Sequence, residues 1–89
     1  MISVREAGDA AARFAQAALG GPWLESVRLE EAEIGMVKHR QVWLITLSAQ
    51  DPDAFQLVIP SRRVYKTFTV DGTSGEVTSM KIRELASAQ

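Results

Sequence analysis

Residues 25–49 read ESVRLEEAEIGMVKHRQVWLITLSA, and they hold two apolar-alternating runs separated by a polar tetrad. In the first run Val27 and Leu29 lie two apart, and the apolar positions then resume one residue out of phase at Ala32, Ile34 and Met36. A one-residue slip inside an alternating run is the signature of a β-bulge, here near Glu30 and Glu31. KHRQ, residues 38–41, reads as a polar hairpin tip. QVWLITLSA, residues 41–49, is apolar on nearly both sides, the pattern of a strand in the middle of a sheet.

Upstream of this hairpin the period is helical. Ser3 and Glu6 have the S-x-x-E spacing of a capping box. Val4, Ala7, Ala11, Phe14 and Ala18 recur at spacings of three and four, which predicts one buried face made mostly of alanine. Arg5, Asp9, Arg13 and Gln16 share the opposite face, and Gly20-Gly21-Pro22 stops the helix. Trp23, just past that stop, is placed to staple the helix end to the sheet. A narrow face of small residues suits a helix lying close against a curved sheet.

Downstream, QDPD (residues 50–53) reads as a loop, and AFQLVIPSRRVYKTFTVD (residues 54–71) as one or two strands, with Pro60 limiting pairing. VDGTSGEV, residues 70–77, is a turn in which Asp71 bonds back to the backbone and two glycines supply positive φ. EVTSMKIREL makes the last strand, and the final ASAQ is expected to fray. The order is one helix, no second helix, and about four antiparallel strands. That is an α+β fold in a single domain spanning residues 1–89.

Composition narrows the chemistry. A formal net charge of −1 gives no global attraction to nucleic acid or to an anionic membrane. The absence of cysteine excludes disulfides, thiolate catalysis and cysteine-ligated zinc. One histidine, His39, excludes two-histidine zinc motifs, and it sits at the hairpin tip between Lys38 and Arg40. No G-x-S-x-G elbow is present for a serine nucleophile. Glu25, Glu30, Glu31 and Glu33 form an acidic run that reads as a solvated edge whose charges deter strand-to-strand aggregation. Trp43 alternates with Ile45 and Leu47 and is expected in the core. As a calcium or phosphate loop VDGTSGEV fails, because the alternating oxygen ligands with a distal glutamate, and the G-K-[ST] ending, are both missing. The chain is therefore read as non-enzymatic, with no cofactor.

Two clusters of cations remain. Lys38, His39 and Arg40 at the first tip would form a local basic patch with Arg62 and Arg63 if the two bends met. This is the candidate interaction surface, although nucleic acid would also need aromatics interleaved on that face. The N-terminus lacks a basic start and an uninterrupted apolar run. A cytoplasmic protein is expected, with export through a removed leader left open.

VYKTFTVDGTSGEVTSMKI, residues 64–82, resembles the C-terminal signature of PepSY domains through Tyr65, Val70, Asp71, Ser74, Gly75, Glu76 and Val77. The helix opening ISVREA and the position of Trp43 are also similar to that family, so the resemblance covers nearly the whole chain. It implies a helix against an antiparallel sheet with cystatin-like character. It also implies a non-catalytic module of the kind thought to bind and restrain peptidases, with the seven signature residues forming a structural turn. The expected role is thus a protein- or peptide-binding module acting through a sheet face, an edge or the loop ends. A homo-oligomer joined through the solvent-side sheet face around Val42–Leu47 is the second reading, and a small ligand-binding domain the third.

Overall fold

Ser3 starts the chain's main helix as its spacing predicts. In a computed structural model that describes residues 1–50 and 63–83, the Ser3 Oγ accepts the Glu6 amide at 3.1 Å and the Glu6 carboxylate accepts the Ser3 amide at 2.9 Å. Helix α1 runs Val4–Leu19 and closes at Gly20, whose φ of 61° lies in the left-handed region open to glycine. A four-residue helical turn, α2 (Pro22–Glu25), follows where no second helix was expected. Pro22 occupies the first helical position, where its missing N–H costs nothing. The Ser26 hydroxyl donates to the Pro22 carbonyl at 2.8 Å and closes the turn.

The described residues then form β1 (Arg28–Val37), β2 (Arg40–Gln50), β3 (Arg63–Asp71) and β4 (Val77–Arg83), an antiparallel meander in the order β1-β2-β3-β4. The bulge falls where the phase slip placed it, between Leu29 and Glu31. The first hairpin tip is tighter than the polar tetrad suggested. It consists of Lys38 and His39 alone, with φ of 49° and 69°, and Arg40 and Gln41 already belong to β2. A two-residue hairpin with positive φ at both central positions matches the right-handed twist of the strands. Gln50, expected to open the QDPD loop, is the last residue of β2, where it pairs with Arg63; the rest of that loop, any strand before Pro60, and the ASAQ end lie outside the described residues.

The helix packs through its smallest side chains. Ala7, Ala11 and Ala15 are fully buried, whereas Val4, Phe14 and Ala18, expected on the buried face, are exposed. The alanine stripe is centred one step round the helix from the predicted one, because a surface without side-chain bulk lets the helix axis settle close to the sheet. Opposite it lie Ile45, Leu47 and Ala49 of β2 and Phe68 and Val70 of β3. Phe68 is fully buried and meets Phe14 and Trp23 edge to face, with ring centroids 6.2 and 6.5 Å away. Trp23 thereby fastens the helix end to the sheet. Trp43 is half-buried beside this core, and its Nε1 donates to the Ile2 carbonyl at 3.0 Å. No helix among the described residues is long and apolar enough to cross a membrane.

Candidate functional site

The β3–β4 turn is built from Asp71. Its Oδ1 accepts the Thr73 and Ser74 amides at 2.8 and 2.9 Å, and its backbone joins Gly75 and Glu76 at 2.9 and 2.8 Å. The Oδ2 takes the Arg40 guanidinium at 2.8 Å. These two amides and then Arg40 hold the carboxyl at about 2, well below its ordinary value. Gly75 supplies positive φ at 80°, as expected. Gly72 has a different role from the positive φ assigned to it: a Cβ there would lie 2.6 Å from the Gln41 carbonyl oxygen. Its amide donates to that same oxygen at 3.0 Å, and its carbonyl accepts the Ile2 amide at 2.7 Å. The turn therefore joins the N-terminus to the first hairpin.

The remaining signature residues are structural in position. Val70 is buried and Val77 packs against the core, while Ser74 accepts the Glu76 amide at 3.1 Å and Tyr65 stands half-buried on the opposite sheet face. Asp71 thus uses both carboxylate oxygens on the protein itself.

The basic residues are not brought together. Arg40 begins β2 and lies beside Asp71, whereas Arg63 pairs with Gln50 at the other end of the same strand. Antiparallel pairing over the length of β2 holds Arg40 and Arg63 at opposite ends of the sheet. Lys38 and His39 are exposed at the tip, and Arg62 lies outside the described residues.

On the sheet face away from the helix, side chains form a polar network in place of the apolar surface that a joined face would need. Arg63 donates to the Ser48 hydroxyl at 2.9 Å and to the Ser26 carbonyl. Ser48 donates to Glu30 at 2.6 Å, and Arg28 pairs with the same carboxylate at 2.9 Å, so both lower the Glu30 pKa. Thr46 and Thr67 share a 3.1 Å hydrogen bond, and Arg83 donates to Thr46 at 3.0 Å while pairing with Glu31. Arg83 thus reaches from β4 across to β1. Of the apolar residues on this side, Val42 and Leu44 of β2 are buried and half-buried, and Val37 at the end of β1 is exposed.

The exposed apolar surface lies elsewhere, on the helix side of the edge strands. A helix about 10 Å wide cannot cover four strands spaced about 4.8 Å apart. It covers β2 and β3, leaving Leu29 at 51%, Ile34 at 56% and Met36 at 62% exposed on β1 and Ile82 at 75% on β4. Apart from the half-buried Gly35, every residue of β1 is exposed. Between β1 and the first half of α1 runs a groove of about 220 Å³, with Val4, Gly8 and Ala12 on one wall, Val27 and Leu29 on the other, and Leu47 below. The sequence marks Leu29, Ile34 and Met36 as alternating apolar positions of one strand, and alternation marks a face without saying whether the single helix reaches it.

Comparison of the chain with protein-family models, curated proteins and solved structures returns no match.

Proposed function

We propose that the chain is a non-catalytic binding module of PepSY type that takes an extended segment of a partner protein onto β1. The observation that carries this reading is the combination on one edge strand of exposed backbone over ten residues with the exposed side chains of Leu29, Ile34 and Met36. A peptide added to such an edge gains ladder hydrogen bonds along its backbone and lodges alternate side chains on one face. The α1–β1 groove, which Arg5, Asp9 and Arg28 also line, offers those side chains a largely apolar seat. At about 220 Å³ it is smaller than the roughly 300–1,000 Å³ typical of small-molecule sites, which favours a side chain over a free ligand as occupant. The peptidase-restraining version of the role comes from the resemblance carried by Tyr65, Val70, Asp71, Ser74, Gly75, Glu76 and Val77.

Photocrosslinking tests the surface directly. A photoreactive residue in place of Met36 on β1 should give a discrete adduct in native extract, and one in place of Ser74 in the turn should not. Adducts formed equally at both positions, or at Ser74 alone, would remove β1 as the docking edge. The peptidase version is dropped if host peptidases neither enter the Met36 adduct nor lose activity when the protein is added.

A further inference from the structure

The two edges of the sheet are complementary to each other. On β1, Glu31 and Glu33 share the outer face with Gly35, while Ala32, Ile34 and Met36 share the helix side, as their pairing with Thr46, Leu44, Ile45 and Trp43 requires. On β4, Lys81 and Arg83 take the outer face, while Met80 and Ile82 take the helix side, opposite Phe68 and Lys66. One edge is thus acidic outside and apolar inside, and the other is basic outside and apolar inside. Ile82 is the most exposed of the large apolar residues described, at 75%.

From this match we infer that β1 of one copy pairs with β4 of the next, continuing the sheet from molecule to molecule. The strand order β1-β2-β3-β4 makes β1 and β4 antiparallel, so a copy shifted along the sheet presents its β1 antiparallel to the first copy's β4. Both helices then stay on the same face. In one register Lys81 lies opposite Glu33, Arg83 opposite Glu31, Met80 opposite Ile34 and Ile82 opposite Ala32. All four pairs keep like faces together. Arg83 already reaches its own Glu31, so the charge match at the junction rests on Lys81 and Glu33, which make no ion pair among the described residues. Pairing β1 with a second β1 would bring glutamates together, and β4 with β4 would bring cations together; both are unfavourable for directly opposed residues. The acidic run therefore deters one edge pairing and selects another. The resulting contact is head-to-tail, which leaves a free edge at each end and permits open chains.

Sedimentation velocity with charge exchange tests the contact. The wild-type protein should show a mass that rises with concentration into the millimolar range and falls on adding salt. Lys81→Glu gives a chain with two acidic edges and Glu33→Lys a chain with two basic edges, and each should self-associate roughly tenfold more weakly. Mixed in equal amounts, the two variants should associate again, because each supplies the edge the other lacks. Both substitutions are at exposed positions, and far-ultraviolet circular dichroism checks that each variant is folded. A wild-type protein that stays monomeric at millimolar concentration, or variants whose mixture does not recover association, overturns the inference. It stands apart from the partner reading, since Lys81→Glu leaves β1 intact. A monomer that still gives the Met36 adduct would remove the self-pairing and keep the binding role.

Discussion

Replacing Gly72 with alanine should destabilise the fold at a residue to which the sequence assigns only a positive φ in a turn. The added Cβ would stand 2.6 Å from the Gln41 carbonyl oxygen, well inside van der Waals contact, and the obstructing atom is backbone. The strand ends must separate, and two hydrogen bonds run through the same residue, from its amide to Gln41 and from Ile2 to its carbonyl. Overpacking of this kind costs about 1–3 kcal/mol. Each weakened hydrogen bond adds up to about 1 kcal/mol, so the expected loss is roughly 2–4 kcal/mol. For a domain of this size that lowers the melting temperature by roughly 10–25 °C. Gly8→Ala is the internal control. It sits within α1 with nothing within 4 Å of a built Cβ, so alanine should stabilise by about 1 kcal/mol. Urea unfolding followed by tryptophan fluorescence reads both. A Gly72→Ala protein that unfolds within about 0.5 kcal/mol of wild type would refute the close approach on which the account of the turn rests.

Phe68→Ala should cost about 3–5 kcal/mol in the same assay, since the ring is fully buried between α1 and α2 and leaves a cavity against Phe14 and Trp23. Asp71 has a folded pKa lowered to about 2, so it contributes stability that is fully present above its unfolded pKa near 3.8 and is lost as pH falls toward 2. Asp71→Asn should flatten that part of the stability–pH profile, and an unchanged slope would contradict the two amide bonds. Lys38→Asn with His39→Gly places residues suited to positive φ at both positions of the tip and should stabilise by about 1–2 kcal/mol in urea unfolding.

The parts of the fold legible in the sequence are those written in local chemistry. The capping box at Ser3 and Glu6, the bulge beside Glu30 and the turn bonds of Asp71 each depend on residues a few positions apart. The unread parts depend on distances between elements. Nothing local says that α1 settles on Ala15 in preference to Ala18, since both continue an alanine period and the choice is made by the approach of the sheet. The Lys38–His39 tip carries neither glycine nor asparagine, so its length had no signal. Arg63 and Arg40 are cations at two bends, and only the strand pairing puts them at opposite ends. For the candidate site, alternation shows Leu29, Ile34 and Met36 as apolar positions of one strand, but their side of the sheet and their exposure follow from the strand pairing and the width of one helix against four strands. The β3–β4 turn was legible at Asp71 and Gly75 because its bonds join residues only a few positions apart.

The central claim, that β1 is the docking edge, is tested most directly by amide hydrogen exchange on the protein bound to the segment recovered from the Met36 crosslink. The account predicts slowed exchange along Arg28–Val37 on binding, with Val77–Arg83 and the turn at Asp71–Glu76 unchanged. Protection confined to the turn or to β4, with β1 exchanging as freely as in the unbound protein, would contradict it.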